Sequence, residues 1–130
     1  MIDKIAYLYL ENRRILSSRS KGKDTFYIPG GKREGNETDL ETLAREVKEE
    51  LAVDILPATA KLYGIFEAQA HGKAEGVVVR MTCYTAGFTG CFRASSEIEE
   101  LRWLTAADMD IISPVDKLIF ADLHDKGLLD

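Results

Sequence analysis

Short apolar runs alternate with polar breaks along this chain, and the period of the apolar positions changes as it proceeds. Ile5 to Leu10 is apolar on both faces and carries Tyr7 and Tyr9, which predicts a strand buried in a sheet. Glu11-Asn12-Arg13 predicts a turn and Arg14 to Arg19 a second strand, so the two form a hairpin. Ser20 to Thr25 predicts a loop. Phe26 to Ile28 predicts a short strand that stops in a turn at Pro29-Gly30-Gly31. The period then lengthens. Leu40, Leu43, Ala44, Val47 and Leu51 fall in one stripe of a helix over 40–51. Thr38, three residues before Glu41, supplies the capping-box pattern at its start. Lys61 to Ala70 and Gly76 to Ala86 predict two longer strands joined by a turn at His71-Gly72-Lys73. Gly87 to Gly90 predicts a turn and Glu99 to Leu104 the last strand. Ser113-Pro114 opens a second helix with Ser113 as its cap, an apolar face of Val115, Leu118, Ile119 and Leu123, and an end at Gly127. Many strands with two separated helices predict an α/β fold, a mixed β-sheet covered by helices on both faces.

Composition narrows the class. The 130 residues predict one domain over 1–130, long enough for a core without disulfide or metal staples. Seventeen basic against twenty-two acidic residues give a net charge of −5, which argues against a partner that is polymeric nucleic acid. Cys83 and Cys91 are too few for a four-cysteine zinc site and predict two reduced, mostly buried thiols. No apolar window approaches the length of a membrane span, and Met1-Ile2-Asp3-Lys4 does not open a signal peptide. A cytoplasmic location without a membrane partner is the expectation.

The first helix carries more than a core stripe. Glu46, Glu49 and Glu50 stand at i, i+3 and i+4, so they share a helix face distinct from the apolar one. The spacing alone admits two readings. One is a solvated acidic surface, the usual fate of charge runs. The other is a site for a hard divalent cation, which takes carboxylate oxygens and bridges to phosphates.

The neighbourhood favours the second reading. Pro29-Gly30-Gly31-Lys32 lets backbone approach a ligand closely. From Gly31 the chain reads Gly31-x5-Glu37-x7-Arg45-Glu46-Val47-x-Glu49-Glu50-x-Ala52-Val53. This resembles the Nudix box, G-x5-E-x7-R-E-U-x-E-E-x-G-U with U apolar. Eight of the nine defined positions match over 23 residues, and Ala52 alone departs, standing where the family has Gly. Phe26-x-x-Pro29-Gly30-Gly31 and Glu99-Glu100-Leu101-Arg102-Trp103 also look like the family's segments.

The resemblance implies the Nudix α/β/α sandwich and a hydrolase of a nucleoside diphosphate linked to a further group. By position it implies that Glu46, Glu49 and Glu50 hold Mg²⁺, or Mn²⁺, with the carbonyl of Gly31 as a further ligand. It implies that Glu37 and Arg45 pair to support the loop. A further acid from outside the box is expected at Glu97, with Glu99 as rival. The general base stays open among Glu46, Glu49, Glu50 and Glu97. Arg19 and Lys32 flank the box and are candidate phosphate contacts, or else exposed solubilising cations. Phe26 is the candidate to stack a base. His71, at a strand end, either faces substrate or is a plain turn residue. Trp103 is expected in the core. If position 52 needs a positive φ, Ala costs about 1 kcal/mol relative to Gly but removes no ligand.

Other chemistries lack their pattern: there is no G-x-S-x-G elbow and no P-loop spacing. The downstream marks of the family's ADP-ribose, dinucleoside-polyphosphate and NADH enzymes are missing. That leans the resemblance toward small MutT-like members that cleave a (d)NTP to the monophosphate and pyrophosphate. The alternatives are a non-catalytic nucleotide sensor and a hydrolase of ADP-ribose-type or dinucleotide substrates. A homodimer is compatible with the resemblance. Residues 31–53 hold seven acids against four bases, so more than half of the net charge belongs to this one segment.

Overall fold

The alternation of the first strand sorts the whole molecule into two cores. In the computed structural model, which describes residues 1–130, β1 spans Ile2–Tyr7. Ile5 and Tyr7 point to one side and pack with Leu43, Val47 and Leu51 of α1 (Asp39–Leu51). Ala6 and Leu8 belong to the other side, with Val115, Ile119, Phe120 and Leu123 of α2 (Pro114–Asp125). Period-2 alternation on the strand thus meets a 3.6-residue stripe on each helix, which is the physical content of a sheet between helices.

The remaining strands are β2 (Leu10–Glu11), β3 (Arg14–Ser20), β4 (Gly30–Lys32), β5 (Asp54–Ile55), β6 (Lys61–Gln69), β7 (Val78–Thr85), β8 (Phe88–Thr89) and β9 (Ile98–Leu104). The largest sheet runs β4-β1-β7-β6. It is mixed: β1 pairs parallel to β7 and antiparallel to β4, and β6 pairs antiparallel to β7. A second sheet runs β2-β3-β9, and β5 pairs with β8. No helix is long and apolar enough to cross a membrane.

Several elements differ from the sequence expectation. The run Ile5 to Leu10 is not one strand. β1 begins at Ile2 and ends at Tyr7, and the chain then changes sheets, so the hairpin with β3 involves only Leu10 and Glu11. Phe26 to Ile28 makes only isolated bridges, Tyr27 to Ser18 and Phe26 to Ile112. The strand comes just after, where a turn was expected: Gly30, Gly31 and Lys32 pair with Ala6, Ile5 and Lys4. Gly30 is needed there because a Cβ would lie 2.1 Å from the Ile5 carbonyl oxygen. Within the expected turn at 87–90, Phe88 and Thr89 pair with β5.

Helix α1 starts with the Thr38 capping box and ends at Ala52, which is left-handed at φ 61°. Helix α2 begins after Ser113, but the Ser113 hydroxyl makes no cap bond. Of its expected apolar face, Val115, Ile119 and Leu123 are buried. Leu118 is exposed, whereas Asp116, Ile119, Phe120 and Leu123 share the buried stripe at i, i+3, i+4 and i+7. Cys83 is a buried free thiol, while Cys91 is free and exposed in the loop after β8.

Candidate active site

Strand β4 and helix α1 meet closely because Gly31 has no side chain. A Cβ at Gly31 would fall 2.4–2.7 Å from the carboxylate atoms of Glu46, so that carboxylate occupies the space a larger residue would fill. Next to it, Glu50 Oε1 accepts a hydrogen bond from the Gly30 amide at 3.2 Å. Two glutamates on successive turns of α1 are therefore seated against the two glycines. Glu49 projects outward, with its side chain 53% exposed, and its Oε1 stands 3.8 Å from Arg45 Nη1.

Arg45 organises this corner. Its guanidinium donates to both oxygens of Glu37, at 2.8 and 2.9 Å, to the Lys32 carbonyl at 3.0 Å and to Glu46 Oε1 at 2.8 Å. This planar fork joins the 33–37 loop, β4 and α1, a geometry that the single ammonium of lysine does not reproduce. Glu37 also accepts from the Glu34 amide and the Thr42 hydroxyl. These bonds, Arg45 first, hold its carboxyl down at about 2. Glu50 moves the opposite way. Burial, and then the charges of Glu46 and Glu49, raise it to about 8 although the Gly30 amide works against them.

The glutamate corner opens into a cleft of about 300 Å³ between the sheet and the start of α2. Lys4, Lys32, His71 and Lys73 line it together with Gly30 and Glu50. Arg19 takes another direction: it bonds Glu100 at 3.2 and 3.3 Å and the Lys23 carbonyl at 2.9 Å. Its strand neighbours Ser18 and Ser20 line the cleft instead, as alternation requires. Phe26 is buried in the α2-side core, with the Arg102 guanidinium 4.6 Å from its ring centroid. Glu97 is exposed, and no hydrogen bond or ion pair engages its carboxylate. Its loop is fastened to the end of α1 by the Ser95 amide donating to the Glu50 carbonyl at 3.2 Å. Glu99 is exposed on β9. Trp103 is half-buried against Tyr9, 6.0 Å between ring centroids.

Two residues of this region escape sequence reading. Lys4 shares a face of β1 with Ile2 and Ala6, and burial lowers its pKa against the opposing pull of Asp116. A strand started at Ile2 would have placed it there by alternation. Asp116 is fully buried, and its Oδ2 accepts from the Ile28 amide at 2.8 Å. Burial pushes its carboxyl up to about 7. Its signal was an acid in phase with Ile119, Phe120 and Leu123.

No three Asp, Glu, His or Cys side chains converge into a ready-made metal cage. The donor set still suits a hard divalent cation. Glu46 and Glu50 are carboxylates held side by side against their mutual repulsion, the Gly31 carbonyl belongs to the same strand segment, and Glu49 is free to turn inward. A cation there would offset both the burial of Glu50 and the repulsion from Glu46 and Glu49 that raise its carboxyl.

Comparison with known proteins agrees with this geometry. No curated protein sequence matches the chain. Solved structures do. A MutT NUDIX hydrolase from Burkholderia pseudomallei superposes with a TM-score of 0.69 at 23% identity, covering 93% of this chain and 95% of its own. A NUDIX hydrolase from Nitrosomonas europaea gives 0.76 at 14% identity, covering 98% and 90%. The dihydroneopterin triphosphate pyrophosphohydrolase of E. coli gives 0.70 at 19% identity, covering 92% of each chain. At these identities the likeness is one of fold. The sequence model of the NUDIX domain matches residues 4–123, nearly the whole chain, and so this protein belongs to the Nudix hydrolase family.

Proposed function

We propose that the protein is a divalent-metal-dependent pyrophosphohydrolase that cleaves a nucleoside triphosphate, ribo or deoxy, to the monophosphate and pyrophosphate. The observation that carries this reading is that Glu50, seated on Gly30 one turn along α1 from the Glu46–Gly31 contact, lines the same cleft as Lys4, Lys32 and Lys73. Carboxylates for a metal and ammonium groups for phosphate oxygens then stand at one opening.

Glu46, Glu49 and Glu50, with the carbonyl of Gly31, would hold Mg²⁺ or Mn²⁺. When bound, such an ion neutralises phosphate charge and acidifies water. The chain's own groups do the rest. Lys32 and His71 line the cleft and orient the phosphates. A water attacks phosphorus, the bond to the bridging oxygen breaks, and pyrophosphate leaves with that oxygen. The proton of the attacking water passes to a carboxylate not engaged elsewhere, and Glu97 is the one we assign. Arg45 and Glu37 keep the loop and helix in register throughout.

The test is a panel of (d)NTPs, ADP-ribose, dinucleoside polyphosphates and a pterin triphosphate, the last because one structural neighbour is named for it. With Mg²⁺, wild type is expected to release pyrophosphate from a triphosphate. Glu49→Gln should lower kcat at least tenfold and raise the metal concentration needed. Glu97→Gln should lower kcat with the metal requirement unchanged. Nucleotide binding without any turnover, indifferent to Glu49→Gln, sinks the enzyme reading in favour of a sensor.

A further inference from the structure

Lys4 and Lys32 stand directly opposite each other across the antiparallel β1–β4 pair. Like charges at such a position repel and weaken a sheet, and strands ordinarily avoid them. Both residues line the same cleft. Neither ammonium has an acid within 4.0 Å, and among the lysines these two alone face each other across a strand pair. The two acids with the strongest pull on Lys4, Asp116 and Glu50, each accept a backbone hydrogen bond, and Glu46 pulls more weakly. Glu50 Oε1 accepts from the Gly30 amide, and Asp116 Oδ2 accepts from the Ile28 amide. Lys4 itself is half-buried, flanked on its strand face by Ile2 and Ala6, with its Nζ 5.9 Å from the centroid of the Tyr27 ring. A partly desolvated ammonium facing a second one and paired with neither neighbouring carboxylate is a poor device for stability. It is a good one for binding an anion that arrives from solution.

We propose that Lys4, acting across the strand pair with Lys32, is a phosphate-binding residue of the cleft that takes substrate phosphoryl oxygens on the sheet side, opposite the glutamates of α1. This rests on the hydrolase reading only for the identity of the substrate; the anion seat itself is read from the two strands. The substrate is then held between two opposed sets of charge, and truncating Lys4 weakens binding more than turnover.

Inorganic pyrophosphate is the probe, titrated calorimetrically into metal-free protein. Lys4→Met is expected to weaken its binding at least tenfold, and Lys4→Arg to recover most of the loss. On a triphosphate with Mg²⁺, Lys4→Met should raise KM by a similar factor with kcat within about threefold. In wild type, pyrophosphate should protect Lys4 from acetylation, read by mass spectrometry, while exposed Lys117 stays reactive. This last measurement decides the matter if Lys4→Met does not fold. Unchanged pyrophosphate affinity in a folded Lys4→Met, or no protection of Lys4, overturns the proposal. Protected Lys4 in a protein that hydrolyses no nucleotide would support the seat and reject the enzyme.

Discussion

Single residues carry opposite electrostatic strains in this protein, and their pH dependence separates them. Asp116 titrates at its ordinary 3.8 in the unfolded chain and near 7 in the fold, because it is buried without full hydrogen bonding. Over that window the folded state keeps a proton that the unfolded chain has lost. The contribution of Asp116 to stability is therefore fully present below about pH 4 and is lost as pH rises through 7, on the order of a few kcal/mol. Asn keeps an acceptor for the Ile28 amide and cannot ionise. Urea denaturation of metal-free protein at pH 5 and pH 8 should show wild type losing more stability than Asp116→Asn over that interval. An equal loss would mean that the carboxyl is not the source. Glu50, raised to about 8, leaves a smaller decline of the same sign in the variant. Glu37, held down at about 2, acts in the reverse sense: its contribution is present at neutral pH and lost only on acidification toward 2. Legibility at this scale follows the source of each signal. Glu46, Glu49 and Glu50 were readable because helical spacing makes neighbours of them. The partners of Arg19 and the burial of Phe26 were not, because Glu100 and Arg102 reach them from a strand some eighty residues away.

Elements follow the same division between local and distant causes. Helix α1 was legible from its stripe and its capping box, both contained within fourteen residues of sequence. Strand β4 was not, since Gly-Gly-Lys has no strand propensity of its own. It is extended because β1 pairs with it and Arg45 binds its last carbonyl. The start of β1 was hidden because Asp3 and Lys4 interrupt the apolar run. On α2 the expectation holds at Val115, Ile119 and Leu123 and fails at Leu118, because a leucine looks more like core than the buried Asp116 does. Ala52 gives the element-scale prediction. It holds φ 61° after the last turn of α1, with its amide donating to the Lys48 carbonyl at 3.1 Å. A Cβ in that region is strained, and glycine is not. Ala52→Gly should stabilise the protein by about 0.5–1 kcal/mol, a rise of a few degrees in Tm, with no loss of activity. A lower Tm would show that the turn has relaxed around alanine.

The whole molecule is closed by pairings between its two halves. β1 lies parallel to β7, joining residues 2–7 to residues 79–84, and β3 joins residues 15–20 to residues 98–104. The mixed sheet between helices was legible as a class, but neither pairing could be read from local pattern, because register over such distances is set by the finished core. Such connections make folding depend on late-arriving chain. A fragment of residues 1–77 contains every glutamate of the box yet lacks β7, β9 and α2. Its far-UV circular dichroism should be that of an unfolded chain, and it should bind Mn²⁺ no more tightly than free glutamate. A folded, metal-binding fragment would refute this. The parallel pairing also has a meaning in time. During synthesis α1 emerges after β1 and β4, the strands it packs against, but well ahead of β7, which pairs with β1. The sheet beneath the glutamate corner is therefore completed only after β7 has been made, long after the glutamates themselves.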